Sequence, residues 1–372
     1  MKKLIFLLIA FVLFGCDTDI KVLKTDAEKA YKSGDFGTAI SLYDKIIEAE
    51  NEEPLHYFYR GRSKYEIEKH EAAIEDFTKA IELTIAVDSF FVQRGRTYYA
   101  LENYEKAERD FLSALKIDNQ SGNATMAYCG MALIYYDKLQ FDQAIFNYDA
   151  AIDIDAKNYV AYSGRGMSKI KLGYLDNAIM DFDLALAFTD KNAYAYNGRG
   201  RAYHKLGEYD EALLDYTNAI KYDPENARYY YNRGVSYQRK KQHEKAVSDF
   251  KKAVELDKKE LQAWVELGNS YADLKRYDAA LKSIDAALKI TKKFPYAYYS
   301  KGTTYYKWGK YNEAISAFND CLDLYPEYAY AFFYRADCYY KLGKNRKACE
   351  DWENSYSYGV GEAVLPINLN CR

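Results

Sequence analysis

The chain has 372 residues, of which 49% are hydrophobic, 29% are charged, 41 are tyrosine and 18 are phenylalanine. This apolar content excludes an intrinsically disordered chain, and five prolines and 20 glycines leave few places for interdomain linkers, so we expect one elongated architecture. With 52 basic and 55 acidic residues the formal net charge is -3, which excludes a global attraction to nucleic acid or to an anionic membrane surface.

The N-terminus has the layout of a secretory signal. Two lysines follow Met1, an uninterrupted apolar run extends from Leu4 to Phe14, and the chain turns polar at Asp17. This run is shorter than the about 20 apolar residues that a membrane-spanning helix needs, so cleavage is favoured over an uncleaved membrane anchor. The segment Leu13-Phe14-Gly15-Cys16 resembles the lipobox of bacterial lipoproteins, in which the cysteine is acylated and becomes the first residue of the mature protein.

This resemblance implies a location and an anchor. Residues 1–15 would be a signal peptide that is removed, Cys16 the lipid-attachment residue, and residues 16–19 the lipidated N-terminus and a short tether. Two or three acyl chains bury enough methylene groups for stable membrane attachment. We expect a protein anchored in the bacterial cell envelope, and whether it resides in the inner or the outer membrane stays open.

One alanine recurs through the rest of the chain at a spacing of 34 residues, except for one spacing of 37. A small residue stands twelve positions before each alanine and a large one four positions after it, and these spacings are helical. The longer spacing coincides with the polar stretch 119–124, which predicts a three-residue insertion in a loop. The ten alanines are Ala39, Ala73, Ala107, Ala144, Ala178, Ala212, Ala246, Ala280, Ala314 and Ala348.

The repeat resembles the tetratricopeptide repeat, as in the segment GRGRAYHKLGEYDEALLDYTNAIKYDPEN. Two antiparallel helices of about 14 residues approach closely only where the facing side chains are small. No single hairpin can bury its own apolar face, so the hairpins must stack. The resemblance implies an all-α fold, a right-handed α-solenoid of about ten helix-turn-helix repeats over residues 20–359. The predicted repeats start near residues 20, 54, 88, 125, 159, 193, 227, 261, 295 and 329, and repeat positions are counted from these starts.

The tail 360–372 is predicted to cap the last hairpin. Its apolar residues are Val360, Ala363, Val364, Ile367 and Leu369. An exported protein permits disulfides, and a bond between Cys349 and Cys371 would fasten the tail. The pairing among Cys129, Cys321, Cys338, Cys349 and Cys371 is otherwise left open.

Six repeats carry arginine at position 7 and aspartate sixteen residues later, whereas the other four have neither residue. The joint occurrence predicts a fork-to-carboxylate pair within each hairpin, with a structural role favoured over ligand binding. The predicted pairs are Arg60 with Asp76, Arg94 with Asp110, Arg165 with Asp181, Arg199 with Asp215, Arg233 with Asp249, and Arg335 with Asp351.

In the tetratricopeptide family, positions 2, 5, 9, 12 and 13 of each first helix line a concave surface. Over ten repeats these positions hold twelve basic and five acidic residues, a net charge of +7, together with many tyrosines that suit reversible contacts with a peptide or helix. The alternative is that some of these tyrosines pack on neighbouring helices. The predicted partner-binding residues are Phe58, Arg62, Arg96, Tyr99, Tyr136, Tyr194, Arg201, Arg228, Tyr231, Tyr296, Tyr299, Tyr306, Tyr330, Phe333 and Tyr340.

The sequence gives no support to catalysis. The four histidines are scattered, without metal-ligand spacing or a nucleophile nearby, so we expect no enzyme activity, no metal site and no cofactor. The predicted function is a lipid-anchored scaffold that binds protein partners in the cell envelope, including peptide or helix segments of acidic character, and does not bind nucleic acid. The alternative is a receptor for a glycan or a peptidoglycan fragment, for which exposed tyrosines would also serve.

Overall fold

The computed structural model describes residues 20–371. The predicted signal peptide, the lipid-attachment residue Cys16 and the tether 16–19 lie outside the described residues. Within residues 20–371 the regular structure is helical throughout, which confirms the all-α prediction. None of these helices is both long enough and apolar enough to cross a membrane. The chain divides into two compact units, one ending at Asp190 and the other beginning at Lys191, and each is an α-solenoid of stacked helical hairpins.

The first unit consists of five hairpins in which each helix packs against the next one along the chain. Its helices, numbered α1 to α10, are 20–32, Phe36–Ala49, Pro54–Glu66, His70–Leu83, Asp88–Ala100, Tyr104–Ile117, Gly122–Asp137, Phe141–Ile154, Tyr159–Leu172 and Leu175–Phe188.

The second unit has five further hairpins and a short C-terminal helix. Its helices, numbered α11 to α21, are Ala193–Leu206, Tyr209–Tyr222, Ala227–Arg239, His243–Leu256, Leu261–Asp273, Tyr277–Ile290, Pro295–Lys307, Tyr311–Leu324, Ala329–Lys341, Asn345–Ser357 and Val364–Asn370. In both units the first helices of successive hairpins are neighbours, so their outward side chains share one face.

Small side chains hold the two helices of each hairpin together. All ten alanines of the 34-residue period are fully buried. On the facing helix, a Cβ atom added at Gly302 would lie 2.5 Å from Cε1 of Phe318, a ring that is itself fully buried. The aromatic ring therefore occupies the space that a side chain at the glycine would need, which explains why a small residue pairs with a large one at this spacing.

The predicted loop insertion before the fourth repeat is wrong, because the three extra residues extend a helix instead. Helix α7 has 16 residues, whereas the four-residue connection that precedes it, 118–121, is as long as the connection 84–87 before α5. The hydroxyl of Ser121 accepts a hydrogen bond from the backbone N–H of Ala124 and donates one to Asp88 at 2.9 Å. This cap starts the helix one turn earlier than in the other repeats.

The C-terminal tail packs on the last hairpin. Val360 and Ala363 are buried, and Ala363 belongs to the apolar cluster around Trp352. A disulfide joins Cys349 to Cys371, one of the pairings that the sequence left open. Contrary to expectation, Val364 and Leu369 do not cover the hairpin, since 39% and 73% of their surfaces are exposed.

Candidate binding surface of the first helices

The six position-7 arginines are held by aspartates of their own hairpins. In each pair Nε and Nη2 of the arginine donate one hydrogen bond each to the two carboxylate oxygens, over distances of 2.6–3.0 Å. The six aspartates are no more than 5% exposed. This bidentate geometry in a largely buried setting gives the pairs a structural role.

The sequence did not predict a third bond that ties consecutive hairpins together. In at least five of the pairs Nη1 of the arginine also donates to the residue sixteen positions earlier, on the second helix of the preceding hairpin. The acceptors are Asp44, Thr78, Asp149, Thr217 and Asn319, at 2.5–3.1 Å. Lys301, which replaces arginine in the ninth repeat, makes the equivalent contact with Asp285 at 2.8 Å. We call this contact the inter-hairpin bridge; polar residues at repeat position 25 are the signal that would have revealed it.

Two arginines on the first-helix face of the first unit lie over aromatic rings. The guanidinium of Arg62 is 5.1 Å from the ring centre of Tyr31, and that of Arg96 is 5.7 Å from the ring centre of Tyr65. Among residues 20–371 neither arginine has a carboxylate within ion-pair distance, and Arg96 is exposed. A stacked guanidinium keeps its N–H groups at the ring edge, where a carboxylate of a partner can reach them.

A pocket of about 400 Å³ opens beside Arg96. Its wall includes Tyr99 and three apolar side chains. These are Met126, Leu133 and Val160, which are 39%, 40% and 52% exposed. The hydroxyl of Tyr99 donates to Asp137 at 2.7 Å, which fixes that ring at the pocket edge. The first unit therefore offers an apolar pocket with a cation at its rim.

Several predicted partner-binding residues belong to the core instead. Phe58 is 7% exposed and its ring centre is 4.8 Å from that of Phe90. Tyr299 stacks on Tyr328 with ring centres 5.0 Å apart, and burial raises its pKa above the ordinary value. The large rings of adjacent repeats fill the space between first helices, so these side chains stabilise the fold and are withdrawn from a partner.

Tyr231, Phe333 and Tyr136 are half-buried. The ring centre of Tyr231 is 5.8 Å from that of the core residue Phe250, and burial raises the pKa of Tyr231 to about 12. Phe333 meets Tyr334 edge to face, and Tyr136 meets Phe141 in the same way. These three predicted residues can expose an edge to a partner but not a whole face.

The carboxylates on the first-helix face of the second unit are engaged internally. Glu266 accepts a hydrogen bond from Tyr296 at 2.6 Å and another from Gln238 at 3.1 Å. Asp273 pairs with Lys307 at 2.5 Å. These acceptors are therefore occupied before any partner arrives.

Asp337 is occupied in the same way. It accepts hydrogen bonds from the indole N–H of Trp352 at 3.1 Å and from Tyr306 at 3.4 Å. Burial raises the pKa of Asp337, although both hydrogen bonds oppose that shift. Asp337 is therefore also engaged before any partner arrives.

A second, polar pocket of about 410 Å³ lies on this face. Arg201, Arg228, Tyr231 and Asn232 contribute to it, and Arg228 is exposed. Of the remaining predicted residues, Tyr194, Tyr330 and Tyr340 expose 48%, 47% and 41% of their surfaces. Within residues 20–371 no cluster of three or more histidine, cysteine, aspartate or glutamate side chains is arranged to hold a metal ion.

Comparisons with known proteins agree with this architecture. Family profiles described as TPR repeat or tetratricopeptide repeat match residues 27–86, 89–121, 127–158, 200–241, 227–260, 259–327 and 299–356. No curated protein sequence matches the chain.

Two solved structures are similar in fold. One is a tetratricopeptide repeat protein from Parabacteroides merdae ATCC 43184, with 21% identity and a TM-score of 0.54 over 68% of this chain and 100% of that chain. The other is the APC/C hetero-tetramer Cut9-Hcn1, with 14% identity and a TM-score of 0.50 over 95% of this chain and 96% of that chain.

Proposed function

Because the chain belongs to the tetratricopeptide repeat family, whose members mediate protein–protein interactions, we propose that it is a lipid-anchored scaffold of the bacterial cell envelope. It binds acidic segments of partner proteins along the first-helix faces of its units. The role is binding and not catalysis, since the side chains on these faces are arranged for contact and not for chemistry.

The observation that carries this proposal is that two arginines of the first-unit face form no ion pair among the described residues, although lysines of these faces, such as Lys307, do. Glu266, Asp273 and Asp337 already accept internal hydrogen bonds or ion pairs. Arg62 and Arg96 instead lie over aromatic rings, with no ion-pair partner among the described residues. A partner carboxylate gains an ion pair with these arginines and displaces no internal one.

Partner capture tests this proposal. A tagged chain is crosslinked in intact envelopes, the captured proteins are identified, and the captured segment is titrated against purified variants. Changing Arg62 and Arg96 together to alanine is expected to weaken its affinity about tenfold and to reduce the salt dependence of binding. The matched control is Arg109→Ala on α6, an exposed arginine that pairs with Glu105 of its own helix.

Binding unchanged in the double variant would contradict the role of the first-helix faces. A variant that retains protein capture but loses retention on immobilised glycan would favour the receptor function instead. The exposed faces of Tyr194, Tyr330 and Tyr340 are the features that such a ligand would contact.

The anchor is tested separately. The segment Leu13–Cys16 supports acylation of the Cys16 thiol. We expect Cys16→Ala to abolish incorporation of labelled fatty acid and to move the chain out of the membrane fraction, whereas Cys129→Ala changes neither. Fatty acid incorporation that persists without Cys16 would contradict the anchor assignment.

A further inference from the structure

A second apolar groove lies in the first unit, away from the first-helix face. It is bounded by α6, α7 and α8 and has a volume of about 610 Å³. Its apolar lining comes from Leu112, Leu115, Tyr128, Met131, Tyr135 and Phe146. All of these residues belong to the third and fourth repeats, so the groove spans one junction between hairpins.

The groove lies at a junction that lacks the inter-hairpin bridge. Met131 stands where other repeats have the bridging arginine, and Leu112 stands where they have its polar acceptor. Asn147 replaces the aspartate, and its amide donates to the backbone carbonyl of Gln143 on its own helix. No guanidinium therefore joins α6 and α8 here, and the contact of Tyr135 with Glu108 at 2.7 Å leaves the walls beside Met131 apolar.

One aromatic side chain stands at the edge of this groove without cover. Phe146 is 70% exposed and Leu112 is 42% exposed. An exposed phenylalanine beside an apolar cavity of several hundred cubic ångströms is typical of an interaction site, because covering both removes apolar surface from water.

The charges of the groove are arranged so that it complements itself. Its lining includes two charged side chains, Lys116 in the last turn of α6 and Asp142 in the first turn of α8. The second helices of consecutive hairpins run in the same direction, so the two charges lie towards opposite ends of the groove. Neither forms an ion pair with another residue in the range 20–371. A two-fold rotation across the groove brings each lysine of one copy to the aspartate of the other.

We propose that this groove binds a second copy of the chain, forming a two-fold symmetric dimer. Phe146 of each copy enters the groove of the other, and two Lys116–Asp142 ion pairs close the ends. The dimer uses the second-helix side of the first unit and leaves the first-helix faces available for other proteins. It does not depend on the proposed function, because it requires neither the acidic partner nor the lipid anchor.

The oligomeric state of the full chain tests this proposal. The protein mass is measured by light scattering in non-ionic detergent, with the detergent contribution subtracted, over concentrations up to about 0.1 mM, where even weak association becomes visible. We expect a dimer whose dissociation constant rises about tenfold or more in Phe146→Asp. The matched control is Leu214→Asp on α12, which changes a 65% exposed residue at the same repeat position outside the groove lining and leaves the dimer intact.

Charge reversal distinguishes self-association from other occupants. Lys116→Glu and Asp142→Lys are each expected to weaken the dimer several-fold, and the double variant is expected to recover it, since the reversed charges meet each other again. Both positions are exposed, so folding is preserved and circular dichroism verifies it. A monomer at all concentrations, a dimer insensitive to Phe146→Asp, or a double variant no better than the single ones would overturn the proposal.

Discussion

Replacing Arg233 by methionine is expected to lower the free energy of unfolding of the second unit by about 3–5 kcal/mol, the usual cost of stranding one member of a buried ion pair. The arginine donates two hydrogen bonds of 2.8 Å to Asp249 and a third of 3.1 Å to Thr217. Each bond to a charged partner contributes about 1.5–3 kcal/mol. The side chain of Asp249 is only 6% exposed, so water cannot replace the lost donors.

The chain itself supplies the control for this substitution. The fourth repeat has Met131 and Asn147 at the equivalent positions. The double variant Arg233→Met with Asp249→Asn copies that pair and removes the stranded charge. We expect the free energy of unfolding of this double variant to be within about 1 kcal/mol of that of the parent protein, because a buried ion pair is often replaced by uncharged residues at little net cost.

The destabilisation of Arg233→Met is also expected to depend on pH. Burial raises the pKa of Asp249 even with Arg233 beside it, and removal of the guanidinium raises it further. A group whose pKa is raised on folding contributes stability below its unfolded pKa and loses that contribution as pH rises through the folded pKa. The difference in free energy of unfolding between the variant and the parent protein should therefore be smallest in acid and largest at neutral pH.

Urea unfolding followed by tryptophan fluorescence measures these differences, because all three tryptophans of the chain lie in the second unit. With a slope of about 2 kcal/mol per molar urea, the midpoint of Arg233→Met should fall by about 2 M. Equal losses in the single and the double variant, or a loss below about 0.5 kcal/mol in the single variant, would refute the reasoning.

Three further outcomes follow from the packing and the ionisable groups. Gly302→Ala should destabilise the second unit by about 1–3 kcal/mol in the same urea assay, because its Cβ atom would lie 2.5 Å from Phe318. Cys371→Ser should release the C-terminal tail and cost about 2–4 kcal/mol, seen as faster amide exchange in the tail, since the bond to Cys349 closes a segment of 22 residues. Burial, with the charge of the nearby Asp337, raises the pKa of Tyr306 to about 12. The contribution of the neutral Tyr306 to stability is therefore complete below about pH 10 and is lost as pH rises towards 12. A tyrosinate absorbance titration that coincides with loss of helical dichroism checks this.

The helical hairpins could be predicted from the sequence because their packing depends on residue size at fixed spacing. Ala107 and Gly95 are small because they face each other, and Phe111 beside them is large because it fills the remaining space. The arginine and aspartate of one hairpin were predictable for a similar reason, since both residues are present together or absent together in every repeat.

The contacts between hairpins were harder to predict. The bridge from Arg60 to Asp44 joins residues of two repeats, and its acceptor varies between carboxylate, hydroxyl and amide, so no single residue type marks it. The division of tyrosines between core and surface has the same origin. Tyr299 is stacked on Tyr328, in the connection to the next hairpin, and the repeat position of Tyr299 alone does not reveal that contact.

The extension of α7 was missed because polar residues suit both loops and helix starts. Ser121 and Asn123 resemble a loop in composition, yet both hydrogen-bond to Asp88 and hold the first turn of the helix. The local composition predicted a loop because Asp88, which accepts these hydrogen bonds, lies more than 30 residues earlier in the chain.

The uneven distribution of the inter-hairpin bridge gives the array an uneven response to tension. When a bound partner pulls on an array fixed at one end, bridged junctions resist separation through directional bonds such as that from Arg165 to Asp149. The junction between the third and fourth hairpins lacks this bridge, and its directional bonds lie elsewhere, such as those from Ser121 to Asp88 and from Tyr135 to Glu108. Tension across this junction is therefore carried by those bonds, whereas a bridged junction also carries it through the guanidinium between its helices.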